Sequence, residues 1–407
     1  MRYRKLPKTG EGISALGFGC MRLPEKRGKI DEPTAKKQLL SAIENGVNYF
    51  DTAMPYHMGA SETFLGTMFN ETGVRKDINL ATKLPPWSVK VPEDMDTLFN
   101  IQLKKLKTDY IDYYLLHALN GDAFKKLYEF GVLDFLTTLK KEGKIRNAGF
   151  SFHGRGKDFK KIIDAYDWEF CQIQYNYLDI QNQAGRKGLE YAAQKDIGVI
   201  IMEPLRGGNL GKKPPREVEK LWQTADRKRA PVEWSLEWIW NHPEVTCILS
   251  GMNNDAHIQQ NMGIAARALP NTMSEGDLEI ISKTEAVYRK LMKAGCTGCN
   301  YCMPCPSGVN IPSCFEFYNA YHVFDDKKNA GLFYLGLCGG AFSGQSSLAS
   351  LCEECGECEK KCPQELPIQD LLKDVKNEFE DWKFKIMLKI ARSVFSFINW
   401  RTRRKNK

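Results

Sequence analysis

The strongest constraint on the fold is a regular alternation of two kinds of segment between residues 13 and 265. Eight short runs rich in β-branched and aromatic residues alternate with longer runs whose apolar residues recur at helical spacing. The strand-like runs are ISALGFG, VNYFDTA, INLATKL, YIDYYLLHAL, IRNAGFSF, FCQIQYNYL, IGVIIMEPL and VTCILSG. A helix boundary follows the first run, where Asp31 and Pro33 open a segment that stops at Gly46. Eight strands, each followed by a helix over about 250 residues, predict a TIM (β/α)8 barrel within an α/β fold class.

The rival fold is a doubly wound sheet, which normally carries GxGxxG after its first strand. Gly17 and Gly19 have no third glycine at that offset. In a barrel, chemistry belongs to the loops at the carboxyl ends of the strands. The polar residues at those ends are Asp51 and Tyr56 after the second strand, Lys83 ending the third and His117 ending the fourth. We expect these four side chains to converge on one mouth.

Several motifs in fixed order at these strand ends resemble those of the aldo/keto reductase family. The matching stretches are YFDTAMPY, SETFLG, ATKL, YIDYYLLH, GFS, QIQYN, MEPLRGG and SGM followed by Asn261. The resemblance covers residues 10 to 265 and implies a catalytic tetrad of Asp51, Tyr56, Lys83 and His117. It also implies a nicotinamide cofactor, NADPH or NADH, bound without a Rossmann fold.

Elementary acid–base chemistry gives the four residues compatible roles. A phenol with a pKa near 10 is a poor acid at neutral pH, and a neighbouring ammonium lowers that value. Tyr56 therefore needs Lys83, and Asp51 would hold the charge on Lys83 in a closed mouth. His117 would donate a hydrogen bond to a carbonyl. The expected reaction is hydride transfer between the nicotinamide and a carbonyl/alcohol pair, with Tyr56 protonating the developing alkoxide.

The resemblance also assigns residues to the cofactor. Ser151, Gln174 and Asn176 match those that hold the nicotinamide, although polar packing inside the barrel is the alternative for Gln174 and Asn176. Four residues after the eighth strand are expected near the adenosine phosphate: Gly251, Met252, Asn253 and Asn261. Asn253 stands where the family often carries a basic residue, so the choice between NADPH and NADH stays open.

Cysteine is concentrated in one part of the chain, because ten of the 13 cysteines lie between Cys296 and Cys362. The second of two runs reads CxxCxxCxxxCP, the bacterial ferredoxin pattern for a [4Fe-4S] cluster, whose last cysteine binds the other cluster. We therefore predict two [4Fe-4S] clusters. One would be held by Cys296, Cys299, Cys302 and Cys362, and the other by Cys352, Cys355, Cys358 and Cys305. Zinc is the alternative, but it usually takes two separated CxxC pairs.

A barrel of this family followed by ferredoxin-type clusters raises a question of electron counting. Nicotinamide moves two electrons as a hydride, whereas a [4Fe-4S] cluster moves one at a time. A flavin could split the pair, yet no dinucleotide fingerprint indicates one. We expect an oxidoreductase whose clusters couple to a ferredoxin or flavoprotein partner. The alternative is an electron-transfer or docking protein with a catalytically silent barrel as scaffold.

The formal charge of +8 belongs to the last residues of the chain. Nine of the 58 basic residues and none of the 50 acidic ones lie within residues 382–407, so the preceding 381 residues are nearly neutral. Neutrality there, without a binding motif, argues against nucleic acid. The helical polarity of the tail predicts either docking on the rest of the chain or binding to an anionic membrane surface.

These observations give a predicted organisation into four parts. They are a reductase-like barrel over 1–270, a helical connector over 271–295, a small, mainly α-helical ferredoxin-type domain over 296–375 and a basic amphipathic tail over 376–407. We find no signal peptide and no apolar stretch of about 18 residues, which predicts a cytoplasmic protein, peripheral to a membrane if the tail binds one.

Overall fold

The computed structural model describes residues 1–154, 156–323, 327–340, 345–391 and 393. Eight parallel strands close into a barrel, in which each strand pairs with the next along the chain and the last pairs with the first. The strands are β1 (Leu16–Gly19), β2 (Tyr49–Asp51), β3 (Asn79–Leu84), β4 (Ile111–Leu119), β5 (Ile145–Phe152), β6 (Phe170–Gln174), β7 (Gly198–Met202) and β8 (Val245–Ser250). The predicted TIM barrel is confirmed.

Helices follow the strands as the alternation predicts. In chain order they are α1 (Glu32–Glu44), α2 (Ala60–Thr72), α3 (Glu93–Leu106), α4 (Gly121–Glu129), α5 (Val132–Lys141), α6 (Gly156–Asp164), α7 (Gly185–Gln194), α8 (Arg216–Gln223), α9 (Pro231–Trp240), α10 (Asp255–Ala265), α11 (Glu275–Leu291), α12 (Ile311–Val323), α13 (Lys327–Phe333), α14 (Glu357–Lys361) and α15 (Ile368–Phe379).

The amino-terminal end of the barrel is closed by apolar side chains. A short antiparallel hairpin pairs residues Tyr3–Lys5 with Gly12–Ser14 before β1 begins. Leu6 and Ile13 from this hairpin are fully buried in one cluster with Tyr49, Tyr113 and Phe170, which lie at or near the first residues of β2, β4 and β6. The cluster fills this end of the barrel, so the opposite, carboxyl end is left for a site.

The chain divides into two compact units. The first consists of residues 1–212 and 229–278 and contains all eight strands; the second consists of 213–228 and 279–407. Residues 213–228 carry α8, whose Trp222 donates a hydrogen bond from its indole Nε1 to Oγ1 of Thr284 on α11 at 3.0 Å. A segment between β7 and β8 thus belongs to the same unit as the cysteine-rich region.

The second unit has its own apolar core. Helices α12 and α15 contribute Phe315, Val375 and other buried side chains, and the cluster includes the fully buried Cys314 and Cys338. Residues 382–391 are helical, and Phe384 and Leu388 of this helix are buried in the same core. Residue 392 and residues 394–407 of the predicted tail lie outside the described residues.

None of the described helices has the length and apolar character needed to cross a membrane.

Candidate functional site

Lys83 is the centre of a buried polar group at the carboxyl end of the barrel. Its Nζ lies 2.6 Å from Oδ1 of Asp51, 2.8 Å from the carbonyl oxygen of Thr52 and 3.3 Å from Oη of Tyr56. The Tyr56 and His117 rings are 6.1 Å apart and nearly perpendicular. The structure therefore brings the four predicted tetrad residues together.

The barrel strands explain why these side chains meet. Asp51 is the last residue of β2, and the Thr52 N–H donates a hydrogen bond to the Ala81 carbonyl of β3 at 2.9 Å. Every residue of β3 is buried, and Lys83 pairs in register with Leu115 of β4. Parallel strands of matched register carry their carboxyl ends to one rim, which places Asp51, Lys83 and His117 on the same side of the barrel.

The loop after β2 holds Tyr56 with an unusual backbone. His57 and Met58, which follow it, have φ angles of 51° and 55° in the left-handed region that favours glycine. The His57 ring fixes this turn, because its Nε2 accepts from the Leu23 N–H at 3.1 Å. Its Nδ1 then carries the proton and donates to Oε1 of Glu25 at 2.7 Å.

The electrostatics of the mouth differ from the sequence-based expectation that Lys83 lowers the pKa of Tyr56. Burial raises the pKa of Tyr56 well above its ordinary value, and the charges of Asp51, Cys20 and Glu203 raise it further. Burial lowers the pKa of Lys83, against the opposing charge of Asp51. The effect of burial on the pKa of Tyr56 outweighs that of the neighbouring Lys83 ammonium. Tyr56 consequently keeps its proton at neutral pH in the protein alone.

His117 is held as a neutral imidazole. It is 3% exposed, and burial, followed by the charges of Lys83 and His153, lowers its pKa well below the ordinary value. Within the described part of the chain, its buried Nδ1 has no hydrogen-bond partner. The ring of Trp87, on the loop after β3, lies 5.0 Å from the His117 ring. A neutral histidine with an uncommitted ring nitrogen is suited to hydrogen bonding with a carbonyl substrate.

The residues predicted to hold the nicotinamide occupy two different settings. Ser151 lies near the carboxyl end of β5, and its Oγ accepts a hydrogen bond from the Ala118 N–H at 2.7 Å. Gln174 and Asn176 instead donate to Oδ2 of Asp179, at 3.0 Å and 2.9 Å.

Asp179 is itself part of a buried ion pair, in which Nε of Arg206 lies 3.1 Å from the same Oδ2. Oε1 of Gln174 is also engaged, because it accepts from Nε2 of Gln183 at 2.7 Å. The side-chain amides of Gln174 and Asn176 thus support Asp179, whose ion pair with Arg206 joins the loops after β6 and β7. Their geometry matches the alternative of polar packing within the barrel.

Gln172, which sequence reasoning missed, fits a nicotinamide better. It pairs in register with Ser151, and its Oε1 is buried without a hydrogen-bond partner among the described residues. Its Nε2 lies 3.7 Å from the Met202 sulfur. A buried amide oxygen without a donor is costly and matches the carboxamide NH₂ of a nicotinamide. The sequence does contain a signal for this residue. Gln172 is the first glutamine of QIQ, and it lies on the same face of the strand as Gln174 because residues two apart in a strand share one face.

The residues predicted to lie near the adenosine phosphate, after β8, differ in their exposure. Gly251 and Asn253 are exposed, whereas Met252 is 1% exposed. Asn261 on α10 is buried and donates from Nδ2 to the Ser250 Oγ at 3.0 Å, so its side chain anchors the loop.

A basic side chain does lie at this loop, although it comes from the segment after β1 and not from the segment after β8. Arg22 donates from Nη1 to the Gly207 carbonyl at 2.8 Å. Its stem passes so close to Gly251 that a Cβ there would lie 3.3 Å from the Arg22 Cβ. Arg22 therefore contacts the loops after β7 and β8 and places a cation beside the residues predicted to lie near the phosphate. Nothing in the local sequence at residues 20–22 indicated this role.

The cysteine-rich region forms two neighbouring cavities within the second unit. One is lined by Cys296, Cys299, Cys302 and Cys362. Burial and then the neighbouring thiols of Cys296, Cys299 and Cys362 raise the pKa of Cys302 to about 12. The structure thus brings together the four cysteines predicted for one cluster, including the distant Cys362.

The other cavity is lined by Cys305, Cys352, Cys355 and Cys358, with Cys302 at its edge. Four thiols around each cavity form the donor set of a [4Fe-4S] cluster. No group of three or more His, Cys, Asp or Glu side chains in the described ranges is close enough to hold a single metal ion.

Comparisons with known proteins agree with this architecture. A family model described as "Aldo/keto reductase family" matches residues 15–275, and one described as "4Fe-4S dicluster domain" matches residues 295–371. L-galactose dehydrogenase of Arabidopsis thaliana is 26% identical over 70% of this chain and 94% of its own length. Methylglyoxal reductase YeaE of Escherichia coli K12 is 27% identical over 70% of this chain and 95% of its own.

Among solved structures, the holo form of aldo-keto reductase AKR11C1 from Bacillus halodurans matches with a TM-score of 0.58. It is 25% identical, and the match covers 70% of this chain and 96% of that one. The family model spans well over half of the chain and all eight strands. The protein therefore belongs to the aldo/keto reductase family, and its barrel is followed by a 4Fe-4S dicluster domain.

Proposed function

We propose that this protein interconverts a carbonyl compound and an alcohol by hydride transfer with NADPH or NADH. The single observation that carries the proposal is the contact of Lys83 Nζ with both Asp51 Oδ1 and Tyr56 Oη, at 2.6 Å and 3.3 Å. A phenol placed beside a buried ammonium–carboxylate pair is a proton donor whose conjugate base has a cation at hand. The names of the relatives, a dehydrogenase and a reductase, support the same chemistry.

The chain offers residues for the cofactor on both sides of the mouth. Ser151 and Gln172 would hold the carboxamide, and Arg22 would lie toward the phosphates across Gly207 and Gly251. When bound, a reduced nicotinamide supplies the hydride that the carbonyl carbon accepts.

The protein's own task is to deliver one proton to the carbonyl oxygen. Tyr56 breaks its O–H bond and protonates that oxygen as the hydride arrives, so the carbonyl gains two electrons and two hydrogens and becomes an alcohol. Lys83 stabilises the phenolate left behind, and Asp51 keeps Lys83 charged. Tyr56 keeps its proton at neutral pH in the protein alone, so it is in the form from which reduction starts.

Protonation of His117 should not affect the kcat/KM for reduction near neutral pH. Its pKa lies well below the ordinary value of about 6.5. We therefore expect kcat/KM to stay level as the pH falls from about 8 to about 6. The His117→Gln variant, which retains a hydrogen-bond donor without a titrating ring, should show an equally level profile. If kcat/KM of the parent instead rises as the pH falls through about 6.5, while that of the variant stays level, protonated His117 is the acid.

We further propose that the dicluster domain exchanges single electrons with a redox partner, a ferredoxin or a flavoprotein. The two cysteine cavities supply the ligands for one-electron carriers, whereas the barrel handles hydride pairs. A flavin in the partner would connect the two kinds of transfer.

The function is tested with the full chain purified without oxygen. NADPH and NADH are offered separately with a panel of small aldehydes and ketones, and nucleotide consumed and alcohol formed are both measured. We expect one alcohol for each nucleotide consumed. If neither nucleotide is consumed while the clusters still accept electrons from a chemical reductant, the barrel is a scaffold and the protein is an electron carrier.

A further inference from the structure

The helix at residues 382–391 has two apolar faces, and only one of them is buried. Phe384 and Leu388 point into the core of the second unit and are 4% and 8% exposed. Trp382, Ile386 and Ile390 follow each other at intervals of four, which places them in one row on the helix surface. Their exposures are 66%, 49% and 58%. The row faces away from the core that the same helix helps to build.

A second exposed apolar group lies on the segment against which this helix packs. Leu332 and Phe333 at the end of α13 and Leu337 after it are 54%, 55% and 54% exposed. Contact between the two segments is close, since a Cβ on Gly339 would lie 2.9 Å from Cδ1 of Leu388. We call the exposed apolar and basic residues of these two segments together the apolar–basic patch. Its apolar residues are Leu332, Phe333, Leu337, Trp382, Ile386 and Ile390, and its basic residues are Lys327, Lys383, Lys385 and Lys389.

Such exposure is concentrated here rather than spread over the protein. Of the seventeen large apolar residues exposed in the described ranges, eight lie within residues 327–352 and 382–391, and the other nine are scattered from Tyr3 to Leu278. Apolar residues that are exposed singly need no explanation, whereas a concentration of them marks an interaction site.

Within the two segments that carry the patch the charges have one sign, although the exposed Asp381 directly precedes Trp382. Neither residues 327–352 nor residues 382–407 contain an Asp or Glu. Lys327, Lys383, Lys385 and Lys389 are exposed, and the sequence after them adds six more basic residues. On the helix, Lys385 and Lys389 border the Trp382 row on one side, and Lys383 borders it on the other. The partner must therefore be apolar and negatively charged at once.

We propose that the apolar–basic patch binds the surface of a bilayer containing anionic lipids. Trp382, Ile386 and Ile390 would enter the interfacial layer, where tryptophan is favoured, and the lysine side chains would reach the lipid phosphates. A second copy of this chain is disfavoured as the occupant, because it would bring two segments of the same positive charge together. The helix lies on the surface and does not span the membrane.

The test measures sedimentation of the full, cluster-loaded chain with vesicles of phosphatidylcholine alone or mixed with phosphatidylglycerol. We expect binding to the mixed vesicles only, weakened by salt. Replacement of Ile386 and Ile390 by Glu should reduce binding at least about tenfold, since it removes two inserted apolar side chains and adds two like charges. The matched control is Ile101→Glu, at an exposed isoleucine on α3 of the first unit.

Point variants are preferable to deletion of residues 382–407, which would strip Phe384 and Leu388 from the core. Unchanged iron content and unfolding temperature show that the double variant is folded. The proposal is overturned if phosphatidylcholine alone binds equally well, if the double variant binds like the parent, or if no vesicle binds. It is equally overturned if light scattering without lipid shows an oligomer that the double variant dissociates, since the patch is then an interface between copies.

Discussion

Tyr56→Phe should lower kcat for carbonyl reduction by about 10²–10⁴-fold, the usual contribution of a positioned general acid. The variant keeps the ring and its perpendicular contact with His117 but loses the hydroxyl that lies 3.3 Å from Lys83 Nζ. Substrate binding depends little on that proton, so KM should change much less than kcat. Steady-state kinetics with the best aldehyde of the panel, and direct binding of nucleotide, separate the two effects.

The control for this variant is Tyr3→Phe. Tyr3 also loses a hydrogen-bonded phenol, since its Oη donates to the Gly46 carbonyl at 2.8 Å, but it lies in the amino-terminal hairpin. We expect its kcat to equal that of the parent. Undiminished turnover in Tyr56→Phe would remove the proton donor from the mechanism and, with it, the main support for the proposed function.

Removing one cysteine from either cavity alone should halve the iron content, and a double variant reveals whether two cysteines share a cluster. Two clusters predict about eight iron and eight sulfide per chain. Cys362→Ala and Cys305→Ala should each retain about four of each. Combining Cys362→Ala with Cys296→Ala should still leave about four, because both line one cavity. Combining Cys362→Ala with Cys305→Ala should leave none.

The matched control is Cys314→Ala, a fully buried cysteine of the same unit that lines neither cavity. It should retain all eight iron atoms. Loss of all iron in Cys362→Ala plus Cys296→Ala would show that each run binds its own cluster, because these two cysteines would then hold different clusters. Stoichiometric zinc without sulfide would contradict the cluster assignment altogether.

The barrel strands were predictable because they are almost wholly buried, and each reads as a short run rich in β-branched and aromatic residues. The run IRNAGFSF coincides with β5, whereas FCQIQYNYL is cut short at Gln174. Asn176 ends that strand, since its Oδ1 accepts from the Leu178 and Asp179 N–H groups and forms a turn. The apolar pattern of the sequence does not show that a side chain will form a turn with the backbone in place of a further strand residue.

The site was predictable where a residue's place in a strand fixes its direction. Asp51, Lys83 and His117 lie at or within two residues of the ends of successive strands, and their meeting follows from the barrel alone. The engagement of Gln174 by Asp179 and the bridge made by Arg22 depend on loops that are far apart in sequence. Likewise, the polarity of the tail predicted an amphipathic helix but not which of its apolar residues are covered. Met387 is 51% exposed, while Phe384 and Leu388 dock, because the neighbouring core decides which face is covered.

The path of the chain between the units affects how separable they are. It crosses from the first unit to the second at residue 212, returns at 228 and leaves again at 278, where α11 runs through the boundary. The dicluster region is therefore not a simple carboxyl-terminal appendage. Truncation at residue 278 would leave Trp222 on α8 without Thr284, the partner of its indole N–H. Cutting the chain at one point therefore cannot separate the two units, because the second unit also contains residues 213–228.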